Sequence, residues 1–496
     1  MILMASEPLF LAYNEILTTA CIQGIQKEGG MQLEAKRGAP WPLKDFFHSL
    51  SVPIHSGGSR KSSPTVHRRT PMISRISSSV NTGQPHLSWN VLSQLARRYG
   101  ESFYLLNLET FGRNYRNFTR CFRSLYPNST IAYSYKTNYT PRLCREVNLA
   151  GGYAEVVSDL EYQLALKVGV PPERIIYNGP CKRHEDLKKA LLAGSIVNLD
   201  SFAEVDAVEA VARSAPRTTL RIGIRCNFPI EGEKRSRFGF DVAEGDPDLV
   251  VHRLRKLPDC ELVGLHCHFS TGRKSLESYR MRTAAMLELC QRHFGPSGPR
   301  MIDIGGGFFS PMDDRLQALF GVAAPGFGEY AAATASQVAA AYPSHGPELV
   351  LEPGSALVAN AMQFVARVVE IKNIGARRMA VVAGSIHNIK PTLHKKNMPV
   401  RLFGACETSS SHPPGREIDL VGYTCMEHDC LHAGCTQNVS VGDYAVFENV
   451  GAYTTVMKPP FIRPSPPIIA IETGGGGFRL VKHGETFDEL FSTYLF

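Results

Sequence analysis

Segments with the pattern of buried strands alternate with segments of helical spacing through the middle of this 496-residue chain. The strand-like segments are, in order, FYLLNLETF, IAYSYK, AEVVS, RIIYNG, IVNLDS, LRIGIRCN, LVGLHCHFS, MIDIGGG and ELVLEPGS. Strands that alternate with helices form parallel βα units, and about eight such units close into a (β/α)8 barrel. We therefore expect a barrel over roughly residues 105–355, in a domain that spans 101–355.

The alternation ends near Ala356, and the later segments have the pattern of strands joined by turns. They are FVARVVEIKN, RMAVVAG, REIDLVGYT, DYAVFEN, IIAIE and FRLVKHG. These segments predict an antiparallel β-domain over residues 356–496. The expected fold class is α/β, with a barrel followed by a C-terminal antiparallel β-domain.

Residues 1–100 have a different composition. No Asp or Glu occurs between His48 and Gly100, where Ser, Arg, Pro and Gly are abundant. Such a tract cannot bury a core, so residues 1–100 are expected to form a poorly ordered basic tail. Acid-free sequence rich in Arg and Ser is also typical of mitochondrial transit peptides, and Met72 is an alternative start. Both interpretations stay open.

The overall composition indicates a globular enzyme and argues against two other classes of protein. Hydrophobic residues make up 43% of the chain and charged residues 20%. No apolar run is long enough to cross a bilayer. The net charge of +8 is too modest, and too concentrated near the N-terminus, to indicate a nucleic-acid surface. The 12 cysteines, without a secretory signal, favour reduced thiols and a cytoplasmic protein.

Polar residues and glycines stand at or just after the ends of the predicted barrel strands. They are Lys136, Asn178, Asp200, Arg225, His268, Gly305–Gly307 and Glu352. The carboxyl ends of barrel strands share one face, where active sites lie. A lysine there is either a solvated strand end or a desolvated amine with a lowered pKa that can form a Schiff base. The convergence of the other groups favours the second interpretation.

Four of these features together match what pyridoxal 5′-phosphate requires of a protein. Lys136 supplies an amine, and the Gly305–Gly307 turn lets backbone N–H groups approach an anion. His268 offers a ring that can stack on the cofactor. Glu352 offers an acid that can hold a proton on the pyridine nitrogen. The sequence therefore predicts this cofactor.

An ordered set of motifs also carries a family resemblance. The motifs are AYSYKTN, GGYAEVVSDLE, VNLDS, SRFGF, GLHCHFS, DIGGGF, LEPG, GYTCMEHD and GAY. In this order they resemble the pyridoxal-phosphate-dependent fold-type III decarboxylases of diaminopimelate, ornithine and arginine, which have an alanine-racemase-like barrel. The resemblance covers roughly residues 100–460. It implies decarboxylation of an amino acid by a homodimer whose active sites combine the barrel of one subunit with the β-domain of the other.

The resemblance also implies a role for each matching residue. Lys136 would form the Schiff base, and Cys425 of the partner subunit would protonate the carbon that has lost carbon dioxide. The cofactor would be held by Lys136, Glu155, Arg225, His268, Gly305, Gly306, Gly307, Glu352 and Tyr453. The substrate would be contacted by Lys390, His394, Met426, Glu427 and Asp429. No metal ion is expected.

The departures from the family pattern concern the substrate. Ser355 stands where the family has the arginine of EPGR, and Met426 stands where an acid follows the cysteine. Glu427 comes one residue later, where its side chain would point differently. A site built for one polar end discriminates strongly against substrates that lack it. We therefore expect a specialised amino-acid decarboxylase, not a dedicated diaminopimelate or ornithine enzyme.

Three alternatives remain at this point. The segment CMEHDCLHAGC is dense in Cys and His and could bind zinc, although its spacing matches no standard zinc motif. A racemase on the same barrel is a second alternative, but Glu352 and the Cys425 motif favour decarboxylation. A non-catalytic homologue that regulates a partner is the third, kept open by Ser355.

Overall fold

Two sheets organise the part of the chain that the computed structural model describes, which is residues 86–496 apart from 231, 320, 322, 406–416, 473, 475 and 476. The strands are β1 (Ser102–Asn107), β2 (Ser129–Ser134), β3 (Tyr153–Val156), β4 (Ile175–Tyr177), β5 (Ile196–Leu199), β6 (Leu220–Asn227), β7 (Phe240–Asp241), β8 (Cys260–His266), β9 (Met301–Asp303), β10 (Glu348–Leu351), β11 (Met362–Ile374), β12 (Arg377–Val382), β13 (Val400–Phe403), β14 (Ile418–Val421), β15 (Cys430–Cys435), β16 (Tyr444–Phe447), β17 (Ile468–Ile471) and β18 (Phe478–Lys482).

Helices connect most of the strands in the first sheet. They are α1 (Trp89–Tyr99), α2 (Leu108–Leu125), α3 (Pro141–Leu149), α4 (Asp159–Lys167), α5 (His184–Leu192), α6 (Phe202–Ser214), α7 (Asp246–Leu254), α8 (Leu276–Phe294), α9 (Asp314–Ala318), α10 (Phe327–Ala341), α11 (Ser355–Val358), α12 (Ile386–Ile389) and α13 (Phe487–Phe491). Short 3-10 turns lie at Tyr135–Thr137, Pro172–Arg174, Gly295–Ser297 and Ala359–Ala361. Among the described residues, every helix is too short or too polar to span a membrane.

The first sheet is a closed parallel barrel, which confirms the predicted fold class. Its eight strands are β2, β3, β4, β5, β6, β8, β9 and β10, and β7 adds a short parallel pairing to β6. Closure follows from the pairing of β5 with β6 and of β10 with β2. Parallel strands need long crossover connections, and the helices between them supply these. The carboxyl ends of all eight strands therefore meet at one face.

The barrel interior is layered. One layer is apolar and takes a residue from most strands: Ala132, Tyr153, Ile176, Ile196, Val263, Met301 and Val350. Because side chains alternate along a strand, the next inward-facing position toward the carboxyl end lies two residues later. Those positions include Ser134, Glu155, Asn178 and Asn198, all of them buried and polar. The apolar layer thus forms the floor of a polar layer at the barrel mouth.

The second sheet is mixed, so the expectation of a purely antiparallel β-domain was wrong in part. Most of its pairs are antiparallel, but β12 pairs with β14 in parallel, and so does β1 with β17. Strands β13 and β15, which the sequence patterns did not indicate, also belong to it. Both sheets lie within one compact unit.

Strand β1 corrects the predicted domain boundary at residue 101. Its segment was expected to belong to the barrel, but it lies in the second sheet between β11 and β17. The four central residues of β1 are all buried, so its pattern is that of any buried strand and does not identify a partner. The first barrel strand is β2.

The end of the predicted N-terminal tail is also ordered. Helix α1 begins after Ser88, whose hydroxyl accepts a hydrogen bond from the Val91 N–H (3.4 Å). Leu92 and Leu95 are buried in a core shared with the second sheet, and Trp89 Nε1 donates to Gly442 O (3.0 Å). Residues 1–85 lie outside the described part of the chain.

We predict that Phe118→Ala strongly destabilises the protein. Phe118 on α2 is fully buried and packs against the rings of Phe122, Phe308 and Phe327. Removing such a ring costs about 3–5 kcal/mol through lost burial and the cavity it leaves. Urea denaturation measures the free energy of unfolding, with Leu149→Ala, at an exposed position, as the control. A loss below about 1 kcal/mol would contradict this packing.

Candidate active site

A cavity of about 400 Å³ lies at the carboxyl ends of the barrel strands. Five predicted cofactor residues line it: Lys136, Glu155, Arg225, His268 and Glu352. They come from five different strand ends, so only closure of the barrel brings them together. The loop between β6 and β7 forms part of the rim through Lys234, Arg235 and Arg237.

Lys136 lies in the 3-10 turn Tyr135–Thr137, which follows directly after β2. Its Nζ donates to Glu155 Oε2, and the side chain keeps 28% of its surface accessible. Burial acts to lower the pKa of Lys136, but the charges of Glu155 and Glu352 outweigh it and raise that pKa. The expected lowering of the Lys136 pKa was therefore wrong, because two carboxylates lie beside the partly buried amine.

Glu155 is fully buried at the end of β3. In addition to Lys136, its oxygens accept hydrogen bonds from Ser134 Oγ and from Asn178 Nδ2 (3.0 Å). Asn198 Nδ2 in turn donates to Asn178 Oδ1 (2.7 Å), which fixes the orientation of the Asn178 amide. A Cβ at Gly223 would lie 1.8 Å from Asn198 Oδ1, so a glycine there makes room for the chain of amides.

Glu352, at the end of β10, is also buried. It accepts from Asn178 Nδ2, and its oxygens lie 3.5 Å from His266 Nε2 and 3.3 Å from His268 Nδ1. Burial acts to raise the pKa of Glu352, but His266, His268 and Lys136 hold it well below its usual range. Glu352 is therefore an anion in the barrel mouth.

Asp303 lies beside Glu352, and its pKa shifts in the opposite direction. Burial and then the charge of Glu352 raise the pKa of Asp303 well above its usual range. Asp303 Oδ1 accepts from the Gly305 N–H (2.8 Å), whereas Oδ2 has no hydrogen-bond partner. Ionising two neighbouring buried carboxyl groups at once costs free energy, and here His266 and His268 favour the ionisation of Glu352.

The glycine turn after β9 packs directly against these groups. Gly305 and Gly307 have φ of 73° and 95°, in the left-handed region that favours glycine. A Cβ at Gly305 would lie 2.4 Å from Cys267 O, and one at Gly306 would lie 2.3 Å from Glu352 O. The Gly306 N–H donates to His268 Nδ1 (3.0 Å), and burial lowers the pKa of His268. The His268 ring is therefore neutral and held in place.

Arg225, at the end of β6, faces the same cavity. Its Nη1 donates to Asp200 Oδ1 (2.8 Å), and its Nη2 donates to His268 O (3.3 Å). The guanidinium also lies 4.7 Å from the centre of the Phe238 ring. These contacts fix Arg225 next to His268.

Several predicted residues lie outside this cavity. Tyr453 has a φ of 60° and is 40% exposed, and its N–H donates to Thr137 O (2.8 Å), which ties its backbone to the Lys136 turn. Cys425, Met426 and Glu427 lie in the loop between β14 and β15, where Cys425 is exposed. Lys390 is buried, and its Nζ donates to Lys396 O (3.3 Å).

Asp429 has a role in the loop and not in the cavity. Its Oδ1 accepts from the Ile386 N–H (2.6 Å). Its Oδ2 accepts from the Thr424 N–H (3.0 Å) and from Thr424 Oγ1 (2.6 Å). The carboxylate thus shapes the loop that carries Cys425.

The zinc alternative finds no support among the described residues. The cluster of metal-capable side chains found there consists of His266, Asp303 and Glu352, all buried at the barrel mouth. The cysteines and histidines of residues 425–435 do not converge in this way.

Ser134, Asn198, His266 and Asp303 are the polar groups that the sequence analysis missed. Their signal was the two-residue spacing that separates most of them from the apolar layer.

The comparison with known proteins decides the family. Residues 109–359, just over half of the chain, match the family model described as pyridoxal-dependent decarboxylase, pyridoxal binding domain. The chain belongs to the pyridoxal-dependent decarboxylases. Its cofactor is therefore pyridoxal phosphate, as the sequence predicts. The Lys136 amine, the anionic Glu352, the neutral His268 ring and the tight glycine turn of this decarboxylase all fit that group.

Curated relatives are similar along most of their length. Diaminopimelate decarboxylase of Aquifex aeolicus is 25% identical over 417 residues, covering 80% of this chain and 92% of the relative. The enzyme of the same name from Actinosynnema pretiosum subsp. auranticum is 28% identical over 422 residues, covering 80% and 90%.

Solved structures confirm the fold. Diaminopimelate decarboxylase from Helicobacter pylori, complexed with L-lysine, superposes with a TM-score of 0.69 at 22% identity, covering 81% of this chain and 98% of the other. The Paramecium bursaria Chlorella virus arginine decarboxylase gives 0.61 at 20% identity, covering 75% and 97%.

We predict that Glu161→Gln changes the pH dependence of stability. Glu161, on α4, accepts from the Val157 N–H (2.9 Å), and burial raises its pKa from 4.5 to about 7. The native state therefore holds this proton more tightly than the unfolded state, so stability falls as pH rises from about 4.5 to 7. The upper limit of this loss is about 3 kcal/mol.

Glutamine keeps the acceptor oxygen but cannot ionise. The free energy of unfolding of Glu161→Gln minus that of the parent is expected to be larger at pH 8 than at pH 5, because only the parent loses stability as Glu161 ionises. Urea denaturation at both values measures it, with Glu185→Gln on the exposed side of α5 as the control. Parallel pH profiles for parent and Glu161→Gln would contradict the assignment.

Proposed function

We propose that this protein removes the α-carboxylate of an amino acid. The observation that carries the proposal is the pairing at one barrel mouth of the Lys136 amine with an anionic Glu352. Lys136 donates to Glu155, and Asn178 donates to both Glu155 and Glu352. When bound, pyridoxal phosphate supplies an acceptor for the electron pair that stays on the α-carbon after carbon dioxide leaves.

Lys136 is the residue that would bond to the cofactor. Its raised pKa means that the free amine carries a proton, which it must lose before it can act as a nucleophile. Glu155 Oε2 already accepts a hydrogen bond from Nζ and is placed to take that proton. Ser134 and Asn178 both donate to Glu155 and would stabilise its ionised form before it takes that proton.

Glu352 would hold a proton on the pyridine nitrogen. An anion with a pKa far below neutrality can do so across the physiological range, and its two imidazole neighbours keep it in that state. Racemases of this fold usually have an arginine at this position, so an anion here favours decarboxylation. His268 would present its neutral ring face to the cofactor. Arg225, paired with Asp200, would hold the His268 backbone in place.

The Cys425 thiol would serve as the proton donor to the α-carbon. It lies on an exposed loop of the second sheet and does not line the cavity of its own chain. This position fits a homodimer in which the loop completes the site of the partner subunit. Asp429 would then be a positioning residue, because it holds the backbone of that loop through Thr424 and Ile386.

The substrate would differ from that of the curated relatives. Met426 follows the cysteine directly, and the rim of the cavity carries Lys234, Arg235 and Arg237 with Glu233 as its acid. A distal ammonium group would meet like charge on this rim, whereas a distal carboxylate would be attracted. We therefore expect an amino acid with an anionic distal group to be preferred over ornithine.

We predict that Lys136→Ala abolishes turnover. Carbon dioxide release and the amine product would be followed by mass spectrometry with diaminopimelate, ornithine, lysine, arginine and glutamate, in the presence of pyridoxal phosphate. Turnover of the best substrate should fall at least about a thousandfold. This loss corresponds to an activation barrier that is higher by roughly 4 kcal/mol. Equal turnover in the variant would overturn the proposal. Exchange of the α-hydrogen with deuterium, without carbon dioxide release, would identify a racemase.

We predict that Glu352→Gln lowers kcat while the cofactor still binds. Loss of the anion removes the partner of the pyridine proton, and a single preorganised electrostatic contact is worth about a hundredfold in rate. Glu348→Gln is the matched control, because Glu348 lies at the opposite end of the same strand, β10. Cofactor binding is measured by absorbance. A kcat equal to that of the control would contradict the role of Glu352.

A further inference from the structure

A buried ion pair lies behind the wall of the active-site cavity. Lys182, between β4 and α5, places its Nζ 2.9 Å from Oε2 of Glu204, which lies in the first turn of α6. The Lys182 side chain has no accessible surface, and the Glu204 side chain keeps 7%. Burial lowers the pKa of Lys182, although Glu204 acts to raise it. A buried ion pair adds little to stability, so this pair is better explained by the groups that it holds in place.

The lysine end of the pair contacts the wall of the cavity directly. Lys182 Nζ donates to Gly179 O (2.8 Å), and Gly179 and Pro180 line the cavity beside Asn178. Gly179 has a φ of 97°, and a Cβ at this position would lie 2.5 Å from Val157 O. The chain therefore turns sharply after Asn178, and the Lys182 ammonium group fixes that turn.

The glutamate end of the pair reaches the cavity through two further residues. Glu204 Oε2 accepts from the Asp200 N–H (2.9 Å), so the pair holds the backbone of Asp200. The Asp200 carboxylate accepts from Arg225 Nη1 (2.8 Å), and Arg225 Nη2 donates to His268 O (3.3 Å). A continuous run of hydrogen bonds therefore joins Lys182 to the backbone of His268. Arg225 and His268 line the cavity, whereas the other members of the run do not.

We propose that Glu204 is a positioning residue for Arg225, with Lys182 as the counter-charge that allows a carboxylate to be buried at this place. Glu204 fixes the backbone of Asp200, so the Asp200 carboxylate meets the guanidinium in one orientation. Arg225 in turn holds the segment that carries the His268 ring. The consequence for the cofactor, whose ring His268 would contact, rests on the proposed function.

The variants Lys182→Met/Glu204→Gln and Lys182→Met/Glu204→Met separate positioning from packing. Both remove the ion pair and keep the length of the two side chains, but only glutamine leaves an acceptor for the Asp200 N–H. Replacing both members of a buried ion pair by uncharged residues is often neutral for folding, whereas replacing one leaves an unpaired charge. The control is Arg253→Met/Glu209→Met, which removes an ion pair of 2.9 Å between α7 and α6, outside the cavity.

The cofactor-loaded proteins are compared by kcat and KM for the best substrate, and by the free energy of unfolding in urea. Circular dichroism in the absorption band of the bound cofactor reports how firmly the protein orients the cofactor ring. Lys182→Met/Glu204→Met is expected to lower kcat about tenfold or more and to weaken this dichroism, because small misplacements in an active site are costly in rate. Lys182→Met/Glu204→Gln and the control should keep the kcat and the dichroism of the parent.

Two results would overturn the proposal. One is a Lys182→Met/Glu204→Met protein that matches the control in kcat and dichroism. The other is an equal loss in the glutamine and methionine variants, which would assign the effect to the missing charges. If the methionine variant does not fold, Asp200→Ala cuts the same run at a half-buried residue, and dichroism equal to that of the parent would then refute the role of Glu204. A parent that binds pyridoxal phosphate but releases no carbon dioxide would overturn the proposed function, and the dichroism would still test Glu204.

Discussion

Two carboxylates in the buried mouth of the barrel, Glu155 and Glu352, determine which charges and hydrogen-bond donors the rest of the site must supply. Removing ionised carboxylates from water is costly unless charges and hydrogen bonds compensate. Here Lys136, Ser134 and Asn178 compensate Glu155, and Asn178 with two imidazoles compensates Glu352. The apolar layer below the carboxylates excludes water, which strengthens each of these contacts.

The same carboxylates determine the charge of the lysine. Burial alone would lower its pKa, but two negative charges reverse the direction. An amine in this state is bound firmly and oriented, and Glu155 lies beside it as the nearest proton acceptor. The site therefore combines a stable resting arrangement with a short route for the proton that must leave before the amine reacts.

The strand-helix alternation, read as a pattern, was enough to predict the barrel. The residues at strand ends were enough to predict the face where Lys136, Arg225, His268 and Glu352 meet. Both conclusions depend on local sequence only, because strands, helices and the ends of strands can be recognised from short runs of neighbouring residues. The ordered motifs added the cofactor, which the family match then showed.

Tertiary structure alone decided the remaining features. The placement of β1 in the second sheet depends on which distant strand offers the better partner. The sequence of a buried strand does not specify that partner. The pKa shifts of Lys136 and Asp303 and the loop-holding role of Asp429 depend on groups far apart in sequence. Charge and hydrogen bonding act through space, so they were fixed only when the closed barrel and the second sheet brought those groups within a few ångströms of one another.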